Sequence, residues 1–233
     1  SLFFQGLGIS MEIQRTTAST KPTFILTIYG QGGTGKSTLA STAPKPVFID
    51  AEDGTKAFAI RGIDVPVAHV KSWVDVRNAW KMISESDEYE TVIIDPIGAF
   101  LDLLIDDVRS GGEMNQLLWG RAKDGMRRFI QAVKNSGKHV VFVAHEEEKD
   151  DDGVVLRRPM LAAKLSQPLI DLSDVVGNLR VDKDGKRVLL VQPESKFKAK
   201  DRYGVFGNTI QNPNITEMIA KVHAAYDKPP FEG

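Results

Sequence analysis

The sequence predicts an α/β fold, a mostly parallel sheet flanked by helices, and three observations carry that prediction. Short apolar runs alternate with helix-length stretches from Thr23 to about Val143. The runs Thr23–Tyr29, Pro46–Ile49, Val65–Val70, Thr91–Ile94 and His139–Val143 lack clean apolar–polar alternation, as expected of strands covered on both faces. The first run leads into Gly30-Gln31-Gly32-Gly33-Thr34-Gly35-Lys36-Ser37, a glycine-rich turn that opens a helix. Strand, turn and helix start is the context that a phosphate-binding loop requires.

The intervening stretches read as helices at Lys36–Ser41, Trp73–Ser84, Ala99–Val108 and Leu117–Asn135. The last places Leu118, Ala122, Met126, Phe129, Ile130 and Val133 on one side, which marks a core face. After His145 the pattern changes. A charged loop is expected over Glu146 to Asp152, then a short segment from Val154 that ends near Pro159, then a helix around Leu161–Ile170. Strands Val175–Val181 and Arg187–Gln192 flank Asp182-Lys183-Asp184-Gly185, a hairpin signal that predicts a C-terminal β-hairpin extension. A basic segment, Lys196 to Arg202, precedes a final helix from Thr216 to Tyr226. Residues 1–10 read as the remnant of an expression tag, with Met11 as the natural start. Residues 11–233 read as a single domain, its core about 21–204 and its helical tail about 213–233.

Composition narrows the function classes. The 233 residues are 42% hydrophobic and 26% charged, enough for a full core without staples. No cysteine is present, which excludes disulfides and thiolate-bound zinc and suits a reducing, cytoplasmic setting. Four scattered histidines make no metal pair at helical spacing. No apolar run is long enough to span a membrane. A net charge of −1 means that any nucleic-acid contact must come from local patches.

The loop carries the chemistry. Its glycines let backbone N–H groups close around phosphate oxygens, so Gly30 to Thr38 form the expected cradle of a nucleoside triphosphate, ATP being the expected one. Lys36 would reach the β- and γ-phosphates, and the Ser37 hydroxyl would ligate Mg²⁺. Val92-Ile93-Ile94-Asp95 is an apolar strand ending in a carboxylate suited to the magnesium shell, and its strand can lie beside that of the loop. A helix cap is the plainer role for such an aspartate. Asp50, Glu52 and Asp53 end the strand after the loop helix, at the sheet edge where ligands bind. One of them can orient a water toward the γ-phosphate.

Phe48-Ile49-Asp50-Ala51-Glu52 resembles the segment of RecA-like recombinases whose glutamate is the catalytic base, which implies that role for Glu52. In such proteins a polar residue, usually glutamine, ends a later strand and senses the γ-phosphate, and His145 stands at the matching position. An imidazole can donate to a phosphate oxygen. Lys200-Asp201-Arg202 resembles the trans-acting fingers of RecA-fold ring helicases, cations that reach a neighbour's nucleotide. From about Lys21 to Gly204 the order of these motifs is similar to RecA-like ATPases of phages and prophages, some of them single-strand annealing recombination proteins. That resemblance implies a RecA-like P-loop NTPase core, Mg²⁺-dependent ATP hydrolysis, a ring or filament of identical subunits, and single-stranded DNA as a ligand. It also implies a single-strand binding protein as a partner and a host-cytoplasmic location. Arg157 and Arg158 are the expected backbone contacts, against the repulsion of Glu146-Glu147-Glu148 and Asp150-Asp151-Asp152. Two other readings stand beside it: a nucleotide-gated adaptor with little DNA affinity, and a P-loop kinase with Arg157-Arg158 in an arginine lid.

Overall fold

The computed structural model describes residues 21–151 and 153–227. The tag reading of residues 1–10 and the start at Met11 lie outside the described residues, as do Asp152 of the expected loop and 228–233 of the expected tail. In chain order the first half runs β1 (Ile25–Gly30), α1 (Lys36–Ala40), β2 (Pro46–Asp50), β3 (Val67–His69), α2 (Trp73–Ser84) and β4 (Thr91–Asp95). Then follow α3 (Ile97–Arg109), α4 (Gln116–Lys134), β5 (His139–Asp151), β6 (Val154–Pro159) and α5 (Ser166–Leu172). The chain continues through β7 (Val175–Val181), β8 (Arg187–Leu190), β9 (Lys200–Asp201), β10 (Thr209–Gln211) and α6 (Ile215–Tyr226).

Ten described strands form one mixed sheet in the order β10-β8-β7-β1-β5-β4-β2-β3, with β6 on β5 and β9 on β7. The six from β7 to β3 run parallel, and the later hairpins add antiparallel edges. This is the α/β sheet that the sequence predicts. Its strands do alternate, but between two cores rather than between core and water. Ile25 and Tyr29 of β1, Val92 and Ile94 of β4, and Val140 and Phe142 of β5 face the core covered by α2, α3, α4 and α5. Leu26 and Ile28, Ile93, Val141 and Val143 face the other, closed by Leu39 of α1 and by Ile215, Met218, Ile219 and Val222 of α6. Period-two patterning with apolar residues on both faces is what a buried parallel strand needs.

Local signals fix the helix starts. Ser72 accepts the Asp75 N–H, Asn115 the Leu118 N–H and Asn214 the Glu217 N–H, so α2, α4 and α6 each begin on a side-chain cap.

Three expectations are corrected here. Glu146–Asp151 is strand and not loop, because β5 continues to Asp151 and pairs antiparallel with β6. The register sets Glu147 opposite Arg158 and Glu148 opposite Arg157, so cross-strand ion pairs hold a charge run that otherwise reads as a solvated turn. The helix expected around Leu161–Ile170 begins only at Ser166, since Ala163 and Lys164 have positive φ. The Asp95 strand does not lie beside the loop strand, for β5 is inserted between β1 and β4.

Candidate functional site

The strand order brings the expected site residues to one sheet edge. Gly30, the last residue of β1, is in register with His145 of β5, and Asp50 of β2 is in register with Asp95 of β4. At Gly30 a Cβ would run into the Leu179 carbonyl of β7, so only glycine lets the loop leave the sheet this close to its neighbour. Gly35 has φ +91, and a Cβ there would collide with the Arg187 guanidinium.

A cleft of about 260 Å³ opens between the loop and the neighbouring strand tips. Gly32, Gly33, Gly35, Lys36, Ser37 and Thr38 line one wall, and Glu52, Asp95 and His145 another. Gly30, Gln31 and Thr34 shape the loop from outside that lining, with the Thr34 hydroxyl donating to the Gln31 carbonyl at 3.0 Å. Lys36 is buried, and its Nζ donates to the carbonyls of Gly30 and Gln31, each at 2.8 Å. Burial lowers its pKa, while the carboxylates of Asp95, Glu146 and Glu52 oppose the change.

Asp95 is pushed up to about 6, first by burial and then by the charges of Asp50 and Glu52, with Ser37 and Lys36 pulling the other way. Its Oδ2 is buried without a hydrogen-bond partner. Ser37 Oγ and Asp95 Oδ2 flank the same point, 3.7 and 3.9 Å from where a Gly54 Cβ would stand. An orphaned carboxylate oxygen beside a hydroxyl is a donor set that fits Mg²⁺, which takes one or two protein oxygens and completes its shell with phosphate and water. Among the described residues no cluster of three or more His, Cys, Asp or Glu could hold a metal by itself. A metal held at Ser37 and Asp95 would need further oxygens, from phosphate or water, to complete its shell.

The three acids after β2 separate by role. Asp50 is wholly buried and accepts from the N–H groups of Glu52, Gly54 and Thr55 and from the Thr55 hydroxyl, so it organises the turn. Asp53 pairs with Lys56 and Lys71, whose hydrogen bonds hold its carboxyl below the usual range. Glu52 faces the cleft, its Oε2 3.2 Å from Nε2 of His145.

The remaining expected residues lie elsewhere. Lys200 pairs with Val176, near the amino end of β7 and thus at the sheet edge opposite the cleft. Its Nζ donates to the carbonyls of Ile170 and Asp171, and Arg202 donates to the Asp171 carbonyl and pairs with Asp174 at 3.3 Å. Both cations cap α5 in their own chain. Reaching a neighbour's nucleotide would require breaking those bonds. Arg157 pairs with Glu148 at 2.9 Å and Arg158 with Glu147 at 2.7 Å, so the charges expected to meet phosphates are matched within the hairpin.

Residues 24–203 match the family model described as "AAA domain". The chain belongs to that family. An AAA domain is a P-loop nucleoside triphosphatase module. The chain is also similar to a protein of Bacillus subtilis strain 168 described as an SPbeta prophage-derived uncharacterized protein, 28% identical over 199 residues. That alignment covers 77% of this chain and 59% of the relative, so the chain spans about three fifths of the protein it matches. Among the described residues of this AAA domain, no helix is long and apolar enough to cross a membrane.

Two arginines of the AAA domain escaped sequence reasoning. Arg61 donates to Thr38 Oγ1 at 2.8 Å and lines the cleft, and Arg187 Nε donates to the Thr34 carbonyl at 3.1 Å. Arg61 ends an irregular stretch with no motif, and nothing local in the sequence marks it. Arg187 follows the hairpin turn, and only the adjacency of β7 to β1 places it beside the loop.

Proposed function

We propose that this AAA domain hydrolyses ATP with Mg²⁺ and converts loss of the γ-phosphate into movement of the β5–β6 hairpin. The observation that carries the proposal is the 3.2 Å contact between Glu52 and His145 in a cleft that also presents Lys36, Ser37 and Asp95. Gly32 to Thr38 seat the phosphates, and Lys36 exchanges its loop carbonyls for β- and γ-oxygens. Ser37 and Asp95 hold the metal, which when bound neutralises charge on the transferred group. Glu52 orients the attacking water. His145 donates to a γ-oxygen while that phosphate is present and returns to Glu52 when it leaves. Because His145 and Glu146 are consecutive in β5, that exchange acts directly on the hairpin.

The resemblance to phage recombination ATPases supports single-stranded DNA as the coupled ligand, in a ring or filament with a single-strand binding protein nearby. The prophage origin stated for the Bacillus relative agrees with a phage-type setting in a host cytoplasm. The pairing of Arg157 and Arg158 with their own glutamates favours a second reading, a nucleotide-gated adaptor whose hairpin engages a protein. The kinase reading has the least support, since neither arginine lines the cleft as a lid would.

Glu52→Gln should abolish turnover, by at least about a hundredfold, and leave ATP binding intact. Retained hydrolysis would reject Glu52 as the base. Specific ATPase rate measured against protein concentration, with and without single-stranded DNA, separates the ligands. Stimulation by DNA supports recombination chemistry, and concentration dependence without a DNA effect supports the adaptor.

A further inference from the structure

We propose that Arg61 is a nucleotide-binding residue that grips the α-phosphate from a bracket built onto the chain just after Glu52; this rests on the reading of the cleft as an ATP site. The bracket is fixed at both ends. Asp50 holds Glu52, Gly54 and Thr55 through four hydrogen bonds of 2.7 to 3.2 Å. One 3₁₀ turn, Gly54–Ala57, leads to Phe58, which is buried edge-on against Phe48 with ring centroids 5.3 Å apart. A second 3₁₀ turn, Ala59–Arg61, is closed by Gly62 at φ +67 and by the Ile63 N–H donating to the Phe58 carbonyl. Arg61 therefore projects from an anchored platform.

What its guanidinium holds is weak for a cation. One nitrogen donates to the neutral Thr38 hydroxyl, 23 residues away in sequence, and among the described residues no carboxylate lies within 4.0 Å of Arg61. A guanidinium has five N–H donors, so most of its capacity is unspent at the mouth of an anion site. Lys56 and Lys71 are committed to Asp53, and Arg187, which donates one N–H to the Thr34 carbonyl, does not line the cleft as Arg61 does.

Position along α1 selects the phosphate. Lys36 and Ser37, with Asp95, Glu52 and His145 opposite, occupy the end that takes the β- and γ-phosphates and the metal. Thr38 follows Ser37, and Arg61 is held there. The remaining oxyanion is the α-phosphate, common to ATP and ADP. Arg61 thus grips the nucleotide through hydrolysis, and because Glu52 and Arg61 share one bracket, seating the α-phosphate also positions Glu52.

The rival role is a neutral brace that ties the bracket to α1. Calorimetric binding of ATP and of ADP, each with Mg²⁺, to the whole chain separates the two, using Arg61→Ala, Arg61→Gln and Arg61→Lys. Glutamine keeps a donor for Thr38 without charge, and lysine keeps the charge. Alanine and glutamine should weaken ATP and ADP by the same factor, roughly ten- to a hundredfold, with lysine closer to wild type. The melting midpoint of Arg61→Gln without nucleotide should match wild type, which keeps the test valid if alanine fails to fold. Undiminished binding, a loss confined to ATP, or a glutamine variant that outperforms lysine would overturn the inference. A wild-type chain that bound neither nucleotide would overturn the ATP-site reading itself.

Discussion

Asp95→Asn should make the nucleotide-free protein more stable while removing its response to Mg²⁺–ATP. The folded carboxyl titrates at about 6 against an ordinary 3.8, because burial and the charges of Asp50 and Glu52 disfavour its ionised form. Between those two pH values the folded state holds a proton that the unfolded state has released. The penalty is therefore absent below about pH 4, grows as pH rises toward 6, and is complete above it. At neutral pH it is on the order of 3 kcal/mol. Asparagine removes the charge but leaves a buried amide to satisfy, so a gain of about 1–3 kcal/mol is expected. In a chain of this length each kcal/mol moves the melting midpoint by roughly 2–4 °C. Thermal melts at pH 7.5 should place the variant several degrees above wild type, and melts at pH 4 should bring the two together. Saturating Mg²⁺–ATP should then close or reverse the gap at pH 7.5, since ligand at a hundred times its dissociation constant adds about 2.7 kcal/mol to wild type alone. A variant no more stable than wild type at pH 7.5, or one equally favoured at both pH values, would refute the reasoning.

The other perturbations test separate parts of the site. Gly35→Ala puts a Cβ at φ +91 against the Arg187 guanidinium and should abolish nucleotide binding in a filter or calorimetric assay; adding Arg187→Ala should leave most of that defect, because backbone strain remains. Lys200→Ala removes two hydrogen bonds at the end of α5 and should lower stability by about 1 kcal/mol in denaturant melts. If its work is confined to that cap, the ATPase rate per folded molecule should stay within about twofold, and a collapse of rate at unchanged stability would restore the finger. Asp50→Asn should loosen the turn carrying Glu52, costing about 1–3 kcal/mol and slowing turnover more than it weakens ATP binding.

The sheet and the phosphate loop were legible because each rests on a local pattern. The five core strands from β1 to β5 announce themselves as apolar runs, and the loop by glycine and lysine spacing within ten residues. Glu52 was legible as a residue just past a strand end, and the parallel run β2, β4, β5 brings it within 3.2 Å of His145, which stands inside β5 rather than at its end. What failed depended on contacts far apart in sequence. The hairpin of β5 and β6 looked like a charged loop because its stabilising partners, Arg157 and Arg158, sit about ten residues away and their pairing is invisible to composition. Lys200 and Arg202 looked free until the amino edge of β7 showed them bound to α5. Arg61 and Arg187 carry no motif at all, and only tertiary geometry delivers them to the loop.

The uninterrupted course of β5 gives the molecule a lever. Thirteen residues run without a break from the sheet centre through His145 to the hairpin tip. At about 3.4 Å per residue, the six beyond His145 extend some 20 Å. A rotation of only about 3° at the sheet edge would sweep the far end by roughly 1 Å, about a third of the strand rise per residue. In the proposed cycle the pivot sits where the terminal phosphate arrives, and the opposing ion pairs along the arm stiffen it against bending. Whatever rests on that tip is thus geared to a displacement too small to disturb the fold beneath.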